Sequence, residues 1–357
     1  MKITIATDAW RPQVNGVVRT LSETIDRLVA RGFDVDIITP ERFITIACPG
    51  YREIRLAVAP RFGARRALHA NAPDVVHIAT EGPIGWSVRS WCLAHNIPFT
   101  TAFHTRFPDY LAVRTGLSAE RFWPIMKKFH LSSRAVLTAT GGLIAELATR
   151  GITNTRLWSR GIDHELFKVD QPNHPLLKDL PRPIMISVGR VAVEKNLEAF
   201  LSAQVCGSKV IVGDGPAFID LKNRYPDAVF LGKLEGLELA SAYATADVFV
   251  FPSITDTFGL VMIEAMASGL PVAAFPVSGP LDVIGSTGHG IHSNLSRPIG
   301  FLDNDLSIAI ERALSVRKAD AAAYAKGFDW DRCTDQFVDA LCTASTNSAD
   351  RRMMASC

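Results

Sequence analysis

Two cations lie close together at the start of the second half of the chain, just after a short apolar run. Residues 183–188 are typical of a buried strand, and Arg190 and Lys195 follow it, five residues apart. A guanidinium and an ammonium group at a strand end and a helix start can hold a diphosphate from two sides and neutralise it as it leaves. An exposed basic turn is the competing interpretation.

Two carboxylates stand eight residues apart further along, where another apolar run leads into a helical pattern. Asp256 precedes the predicted helix and Glu264 lies two turns inside it, so both can border one elongated ligand. Carboxylate oxygens can accept hydrogen bonds from vicinal hydroxyl groups. The first N–H groups of the helix, around Gly259, Leu260 and Val261, can hold phosphate oxygens. Taken singly, Asp256 could be a helix cap and Glu264 a solvated helix residue.

Glycines follow several predicted strands, where a ligand could approach the backbone closely. Gly16 opens a helical pattern after Asp8 and Asn15, and Gly213 and Asp214 follow the predicted strand 209–212. Glycine has no Cβ to block a ligand at such a turn. The chain lacks a GxGxxG motif, which argues against a classical dinucleotide-binding dehydrogenase.

A histidine follows the predicted strand Phe99–Phe103 in the first half. His104 is expected at the strand end, with Arg106 and Tyr110 shortly after it. An imidazole in that place can orient reacting groups or form hydrogen bonds with them. A buried structural histidine is the alternative.

Strand-like runs alternate with helical patterns through both halves, which predicts parallel sheets with crossover helices. We expect an α/β protein with two Rossmann-like, doubly wound parallel-sheet domains that face a central cleft, where such sheets bind ligands. The predicted division is residues 1–170, a proline-rich linker 171–183, residues 184–328, a C-terminal helix 329–344 that packs back across the linker, and a disordered tail 345–357.

The 357 residues carry a net charge of only +2, which argues against nucleic-acid binding. The charge is uneven, however: residues 1–170 contain 22 basic and 15 acidic residues, whereas residues 171–357 contain 16 and 21. A basic first half can face phosphates or an anionic membrane. Because the sequence shows neither a signal-peptide pattern nor a run of ~20 apolar residues, we expect a cytoplasmic protein.

Together, the cation pair, the acid pair and the HTRFPDY segment at His104 resemble the retaining glycosyltransferases of family 4, which have the GT-B fold. The resemblance implies that Arg190 and Lys195 hold the donor diphosphate and that Glu264 holds the ribose. It also implies that Asp256, where the family usually has Glu, meets the donor sugar. The resemblance further implies transfer on one face of the sugar, with retention of anomeric configuration and with no required divalent metal or other cofactor.

The resemblance extends to complete sets of site residues. The catalytic set is His104, Arg190, Lys195 and Asp256. The donor-binding set is Gly16, Arg190, Lys195, Gly213, Asp214, Lys233, Leu234, Asp256, Phe258, Gly259, Leu260, Val261 and Glu264. The acceptor-side set is Asp8, Asn15, Gly16, His104, Arg106 and Tyr110. Arg160, Gly161, Ile162 and Asp163 resemble a family turn to which we assign a structural role.

Basic and aromatic residues interleave over residues 114–134 and again over residues 60–66, as in interfacial anchors on anionic lipid. An ordinary helix with a basic face is the alternative. Within the family, three segments resemble bacterial diacylglycerol glycosyltransferases, with sulfoquinovosyl and mannosyl lipid transferases nearby: residues 7–21 (TDAWRPQVNGVVRTL), 104–111 (HTRFPDYL) and 276–284 (PVSGPLDVI).

This likeness implies transfer of glucose or glucuronate from a UDP-sugar to a lipid such as diacylglycerol, in glycolipid synthesis at the inner face of the cytoplasmic membrane. The alternatives are a GDP-mannose-dependent α-mannosyltransferase, acting on a lipid or a soluble acceptor, and a UDP-sugar epimerase of GT-B fold.

Overall fold

The computed structural model describes residues 1–13, 15–48, 51–291 and 296–345. The chain divides into two units: Met1–Gly161 with the segment that begins at Trp330, and Ile162–Asp329. Residues 171–183, which were expected to form a linker, lie within the second unit. The predicted tail lies outside the described residues apart from Ser345.

The first unit is built on a six-stranded parallel sheet with strand order β2-β1-β5-β6-β7-β8, and β3 and β4 form a separate antiparallel pair. Its strands are β1 Lys2–Ala6, β2 Asp34–Ile38, β3 Thr45–Cys48, β4 Tyr51–Ala57, β5 Val75–Ile78, β6 Phe99–Phe103, β7 Ala135–Thr138 and β8 Thr155–Leu157. Its helices up to β8 are α1 Gly16–Ala30, α2 Arg61–Asn71, α3 Pro83–His95, α4 Phe107–Thr115, α5 Trp123–His130 and α6 Gly141–Thr149.

The sequence explains why these segments form inner strands. Strands β5, β6 and β7 are buried along their whole length, as expected for parallel strands covered by helices on both faces. Ile3 of β1 pairs with Val35 on one side and with Val75 on the other. All carboxyl ends of the sheet therefore meet at one edge.

The second unit repeats this plan, with strand order β11-β10-β9-β12-β13-β14, all parallel. Its strands are β9 Ile184–Val188, β10 Ser208–Val212, β11 Val229–Gly232, β12 Val248–Phe251, β13 Val272–Ala274 and β14 Gly300–Leu302. Its helices are α7 Leu197–Ser202, α8 Phe218–Arg224, α9 Gly236–Thr245, α10 Leu260–Ala267, α11 Ser278–Ile284, α12 Leu306–Ala313 and α13 Lys318–Ala325. The strand order reverses between β9 and β12, and open α/β sheets bind ligands beyond the carboxyl ends at such a point.

The last described helix, α14 Trp330–Ala344, belongs to the first unit. It packs against α1 and against strands β5, β6 and β7. A Cβ on Gly161 would lie 2.3 Å from the backbone nitrogen of Trp330, so only glycine fits at this approach. The two Rossmann-like sheets confirm the predicted fold class. Within the described residues, no helix combines the length and the apolar character needed to cross a bilayer.

Candidate active site

Two glycine loops lie side by side at the carboxyl edge of the second sheet. Gly189 follows β9 and Gly213 follows β10, and the Gly189 N–H donates to the carbonyl of Val212 (2.9 Å). A Cβ on Gly213 would lie 1.8 Å from the carbonyl oxygen of Gly189, and Gly213 has φ +138°. Glycine is therefore required at 213 for the two loops to touch, whatever ligand approaches them.

The structure brings Lys195 and Asp256 together. Lys195 ends a short 3₁₀ helix, Val193–Lys195, and its Nζ lies 2.7 Å from both carboxylate oxygens of Asp256. The Arg190 Nη1 atom lies 3.7 Å from Glu194 Oε1. Three of these four side chains, those of Arg190, Lys195 and Asp256, remain 25% exposed. Both cations thus have an acidic neighbour while staying within reach of solvent and of a ligand.

The loop before α10 packs closely against the end of β12. Gly259 has φ +85°, and a Cβ there would lie 2.8 Å from the Phe251 ring, so the loop turns tightly over β12. Leu260 and Val261 begin α10 and are partly exposed. Phe258 is buried, and its ring packs against that of Phe328 at 6.0 Å, which makes it a core residue in this structure.

Glu264 is only 4% exposed and accepts a hydrogen bond from the Tyr243 hydroxyl (3.1 Å). The interpretation of Glu264 as a solvated helix residue is therefore wrong. Burying a charged carboxylate costs free energy. Such a group is often found where a site positions it for a polar ligand. Sequence reasoning missed Tyr243, because nothing in the pattern of α9 distinguishes it from a core tyrosine.

The remaining donor-side residues lie at the ends of β10 and β11. The Asp214 carboxylate accepts from the Gly215 N–H (2.7 Å). The Lys233 Nζ pairs with Glu235 Oε1 at 2.8 Å and is half exposed, and Leu234 beside it is partly buried.

In the first unit, Asp8 lies buried after β1. Its carboxylate accepts from the N–H groups of Ile84 (2.9 Å) and Gly85 (3.2 Å) at the start of α3, and from the Thr80 hydroxyl (3.0 Å). Burial raises the pKa of Asp8 to about 6. A Cβ on Gly82 would lie 2.4 Å from the Asp8 carboxyl carbon. Asp8 therefore anchors α3.

Asn15 and Gly16 form the start of α1. The Asn15 side-chain oxygen accepts from the N–H groups of Val17 and Val18, each at 3.0 Å, and Gly16 is the first helical residue. This is an ordinary N-cap, and it fixes the loop that leads into the helix.

His104 lies buried directly after β6, next to a residue to which we had assigned only a structural role. The Arg160 Nη2 atom lies 3.1 Å from His104 Nδ1, and the Trp158 ring packs against the imidazole at 5.4 Å. Burial, together with the charge of Arg160, holds the pKa of His104 well below its usual range. From the sequence we assigned Arg160 only a structural role in the RGID turn and did not predict its contact with His104.

Arg106 is tied to two carboxylates of its own unit. Its Nε pairs with Asp109 at 2.5 Å and its Nη1 with Glu146 at 2.6 Å. Tyr110 lies in α4, but its side chain is outside what the structure describes.

Two of the aromatic residues of 114–134 point inward rather than outward. Trp123 and Phe129 are buried, and the Trp123 ring stacks on Phe103 at 5.9 Å. The exposed side of α5 presents Ile125, Lys127 and Lys128 instead. Through the described ranges, no group of three or more His, Cys, Asp or Glu side chains is arranged to hold a metal ion.

Comparisons with known proteins identify the family and the fold of this chain. Residues 14–166 match the family model Glycosyltransferase Family 4, and residues 182–306 match Glycosyl transferases group 1. The chain is 30% identical to a GDP-mannose-dependent alpha-mannosyltransferase of Corynebacterium glutamicum, over 96% of this chain and 87% of that protein. It is 31% identical to a sulfoquinovosyl transferase of Arabidopsis thaliana, over 76% of this chain and 58% of that protein.

It is also 27% identical to an alpha-monoglucosyldiacylglycerol synthase of Streptococcus pneumoniae, over 77% of this chain and 71% of that protein. Among solved structures, a sucrose-phosphate synthase from Thermosynechococcus elongatus superposes with a TM-score of 0.72 at 22% identity, over 100% of both chains. The predicted family and fold are confirmed: the chain belongs to glycosyltransferase family 4 and is a glycosyltransferase of GT-B fold.

Proposed function

We propose that this enzyme transfers a hexose or hexuronic acid from a nucleotide sugar to a membrane lipid such as diacylglycerol, with retention at the anomeric carbon. The favoured donors are UDP-glucose and UDP-glucuronate. The observation that carries the lipid acceptor is an exposed apolar and basic surface on the first unit.

This apolar–basic surface is formed by the β3–β4 pair and the first turns of α2. Its apolar members are Ile44, Ile46, Val58 and Phe62, which are 83%, 58%, 46% and 81% exposed. Its basic members are Arg61, Arg65 and Arg66, all exposed.

One backbone hydrogen bond and one close approach connect the segments that carry this surface. The Val58 N–H donates to the Ile44 carbonyl (2.9 Å), and a Cβ on Gly63 would lie 2.7 Å from the Phe43 ring. The β3–β4 pair and α2 therefore adjoin at this point.

An anionic bilayer can bind both the apolar and the basic members of that surface. Exposed apolar side chains gain free energy on entering the headgroup boundary, and each Lys or Arg near an anionic surface contributes about 1 kcal/mol. Because the surface joins four apolar residues to three arginines, it favours an anionic membrane over a neutral one. The name of the pneumococcal relative, which includes diacylglycerol, is consistent with a lipid acceptor.

We assign the nucleotide sugar to the carboxyl edge of the second sheet. Arg190, Lys195 and the N-terminus of α10 suit a diphosphate, since charged donors and helix N–H groups bind phosphate oxygens. Asp256 and Glu264 suit the hydroxyl groups of the sugar and the ribose.

In the transfer step, the acceptor hydroxyl oxygen forms a bond to the anomeric carbon while the bond from that carbon to the diphosphate oxygen breaks. The acceptor proton passes to the departing diphosphate. Lys195 and Arg190 stabilise the charge that develops on this leaving group, which is the largest contribution such a site can make.

GDP-mannose is the second candidate donor, because the corynebacterial relative is named for that substrate. Because relatives named for GDP-mannose and relatives named for other sugars both match this chain, product analysis with each donor decides between them.

Product analysis tests the proposal directly. The purified protein is incubated with diacylglycerol-containing anionic vesicles and, separately, with UDP-glucose, UDP-glucuronate or GDP-mannose, and the lipids are analysed by mass spectrometry. We expect one glycosylated lipid from a UDP donor; a product from GDP-mannose alone would overturn the donor, and no glycolipid with any donor would overturn the lipid acceptor. Isomerisation of a UDP-sugar without transfer would instead support the epimerase alternative.

Vesicle co-sedimentation tests the apolar–basic surface. We expect the variant Phe62→Ser/Arg65→Ser/Arg66→Ser to bind anionic vesicles at least tenfold more weakly than the wild type. The control variant Ile219→Ser/Lys222→Ser/Lys326→Ser removes one exposed apolar and two exposed basic side chains from the second unit. Equal binding of the first variant and the wild type would exclude this surface as the membrane contact.

A further inference from the structure

Arg160 is held in one orientation by its own segment. Its Nη1 donates to the carbonyls of Trp158 (2.6 Å) and Ser159 (2.9 Å), and its guanidinium carbon lies 5.1 Å from the centre of the Trp158 ring. The residue is 5% exposed. Since rotation about the side chain would break these contacts, Nη2 is directed at His104.

The hydrogen bond between Arg160 and His104 can have only one direction. A guanidinium has N–H donors and no acceptor. Burial lowers the pKa of Arg160 to about 10, which still leaves it protonated near neutral pH. His104 Nδ1, at 3.1 Å from Nη2, must therefore be the acceptor and cannot carry a proton.

We propose that Arg160 is a positioning residue that fixes His104 as the neutral tautomer with its proton on Nε2. The role of His104 toward substrate rests on the proposed function. Given that function, His104 acts as a hydrogen-bond donor to a sugar or acceptor oxygen, and it does not take the proton of the attacking hydroxyl.

Side chains of the C-terminal helix α14 form hydrogen bonds with Ser159, the residue before Arg160. The Gln336 side-chain oxygen accepts from both the backbone N–H (2.7 Å) and the hydroxyl (2.8 Å) of Ser159. The Cys333 thiol donates to the Ser159 carbonyl at 3.0 Å. Together with the close approach of Gly161 to Trp330, these contacts fix the backbone on which Arg160 stands.

The groups around His104 favour the neutral ring. The neighbouring cation is Arg160, and the neighbouring histidine is His77, whose pKa burial lowers to about 3. His77 Nδ1 contacts the Thr100 hydroxyl at 2.8 Å and its ring packs against Trp158 at 5.5 Å.

Nitrogen NMR of the free protein tests the proposal without any substrate. In protein labelled with ¹⁵N-histidine, the His104 signals are identified as those missing from His104→Gln. We expect Nδ1 at the shift of an unprotonated nitrogen and Nε2 at that of a protonated one. The reverse assignment, an even mixture of tautomers, or a doubly protonated ring at pH 7 would overturn the proposal. Because no donor or acceptor is present, this result is independent of whether the proposed function holds.

Substitutions at Arg160 provide a second test. We expect Arg160→Met to populate the Nδ1–H tautomer and to lower kcat at least about tenfold, with Arg160→Lys partly restoring both. Arg156→Met, the same change at an exposed position of β8, is the matched control and is expected to alter neither. If Arg160→Met folds and His104 keeps the Nε2–H tautomer, Arg160 does not fix it. If Arg160→Met does not fold, the wild-type spectrum still decides.

Discussion

The two units share a six-stranded parallel sheet, but the charged groups that follow its strands include a buried network in the first unit and a partly exposed ion pair in the second. In the first unit, Asp8, His104 and Arg160 are all less than 10% exposed and are bonded to neighbouring backbone or to each other. In the second unit, Lys195 and Asp256 form an ion pair that is 25% exposed.

This difference in burial determines whether the charged groups can change their hydrogen-bonding partners. Buried groups in a fixed network keep one hydrogen-bonding state, which suits orienting a reaction. A partly exposed ion pair contributes little to stability and can exchange partners with a charged ligand. Asp8, His104 and Arg160 at the first edge are thus suited to staying in place. The Lys195–Asp256 pair at the second edge is suited to exchanging partners with a ligand.

The largest effect is expected from Glu264→Ala in the second unit. Loss of the buried carboxylate to which we assign the ribose should reduce kcat/KM for the donor by roughly 10²–10³-fold, since a hydrogen bond to a buried charge is worth several kcal/mol when its partner is left behind. Steady-state kinetics with varied donor checks this. Tyr243→Phe removes one hydrogen bond to Glu264 and is expected to cost less than about tenfold. Unchanged kcat/KM in Glu264→Ala would remove this residue from the donor site.

The next effect concerns the glycine loops. Gly213→Ala places a Cβ against the Gly189 carbonyl, and we expect a loss of about 3 kcal/mol in the free energy of unfolding, from steric overlap added to backbone strain. Urea unfolding measures this. Gly32→Ala, at φ +82° with no atom within 4 Å, carries the strain alone and should cost about 1 kcal/mol. Equal losses in both variants would show that the loops do not need to touch.

The free energy of unfolding should depend on pH through buried groups of the first unit. The folded pKa of His77 is about 3, against an ordinary value of 6.5, so the unfolded chain takes up this proton first and stability is lost as the pH falls below 6.5. Between pH 6.5 and 5 we expect His77→Gln to lose about 2 kcal/mol less than the wild type.

Asp8 acts in the opposite direction, because its folded pKa is raised to about 6. The stability it contributes is present below pH 3.8 and is lost as the pH rises through 6. Asp8→Asn should therefore steepen the acid loss. Urea titrations at several pH values measure all three proteins; identical pH profiles would contradict the assignment.

The smallest effect is expected from Asp256→Glu. This change restores the residue usual in the family and keeps the charge beside Lys195, so kcat/KM should change less than tenfold. The free energy of unfolding should change by less than about 1 kcal/mol, because the pair is partly exposed. Kinetics and urea unfolding check both. A loss above a hundredfold would mean that the shorter side chain is needed for the sugar of this donor.

Much of this architecture follows from the sequence. Fully apolar runs such as Val248–Phe251 predict inner strands, because parallel strands are buried on both faces. The hairpin strands β3 and β4 and the edge strands β8 and β14 were missed, since short, partly exposed strands lack that signal.

For the site, spacing placed Arg190, Lys195 and Asp256 at one sheet edge. It could not show that Lys195 pairs with Asp256, that Phe258 belongs to the core, or that Arg160 reaches His104. Those contacts depend on residues distant in sequence, which no local pattern brings together.

The central claim is that the second edge, and not the first, binds the diphosphate. Calorimetric titration with UDP and with GDP tests it on two paired cations, Lys195 of the second unit and Arg106 of the first. We predict that Lys195→Ala weakens nucleotide binding at least tenfold whereas Arg106→Ala stays within about twofold of the wild type. Equal weakening in both variants, or none in Lys195→Ala, would contradict the account.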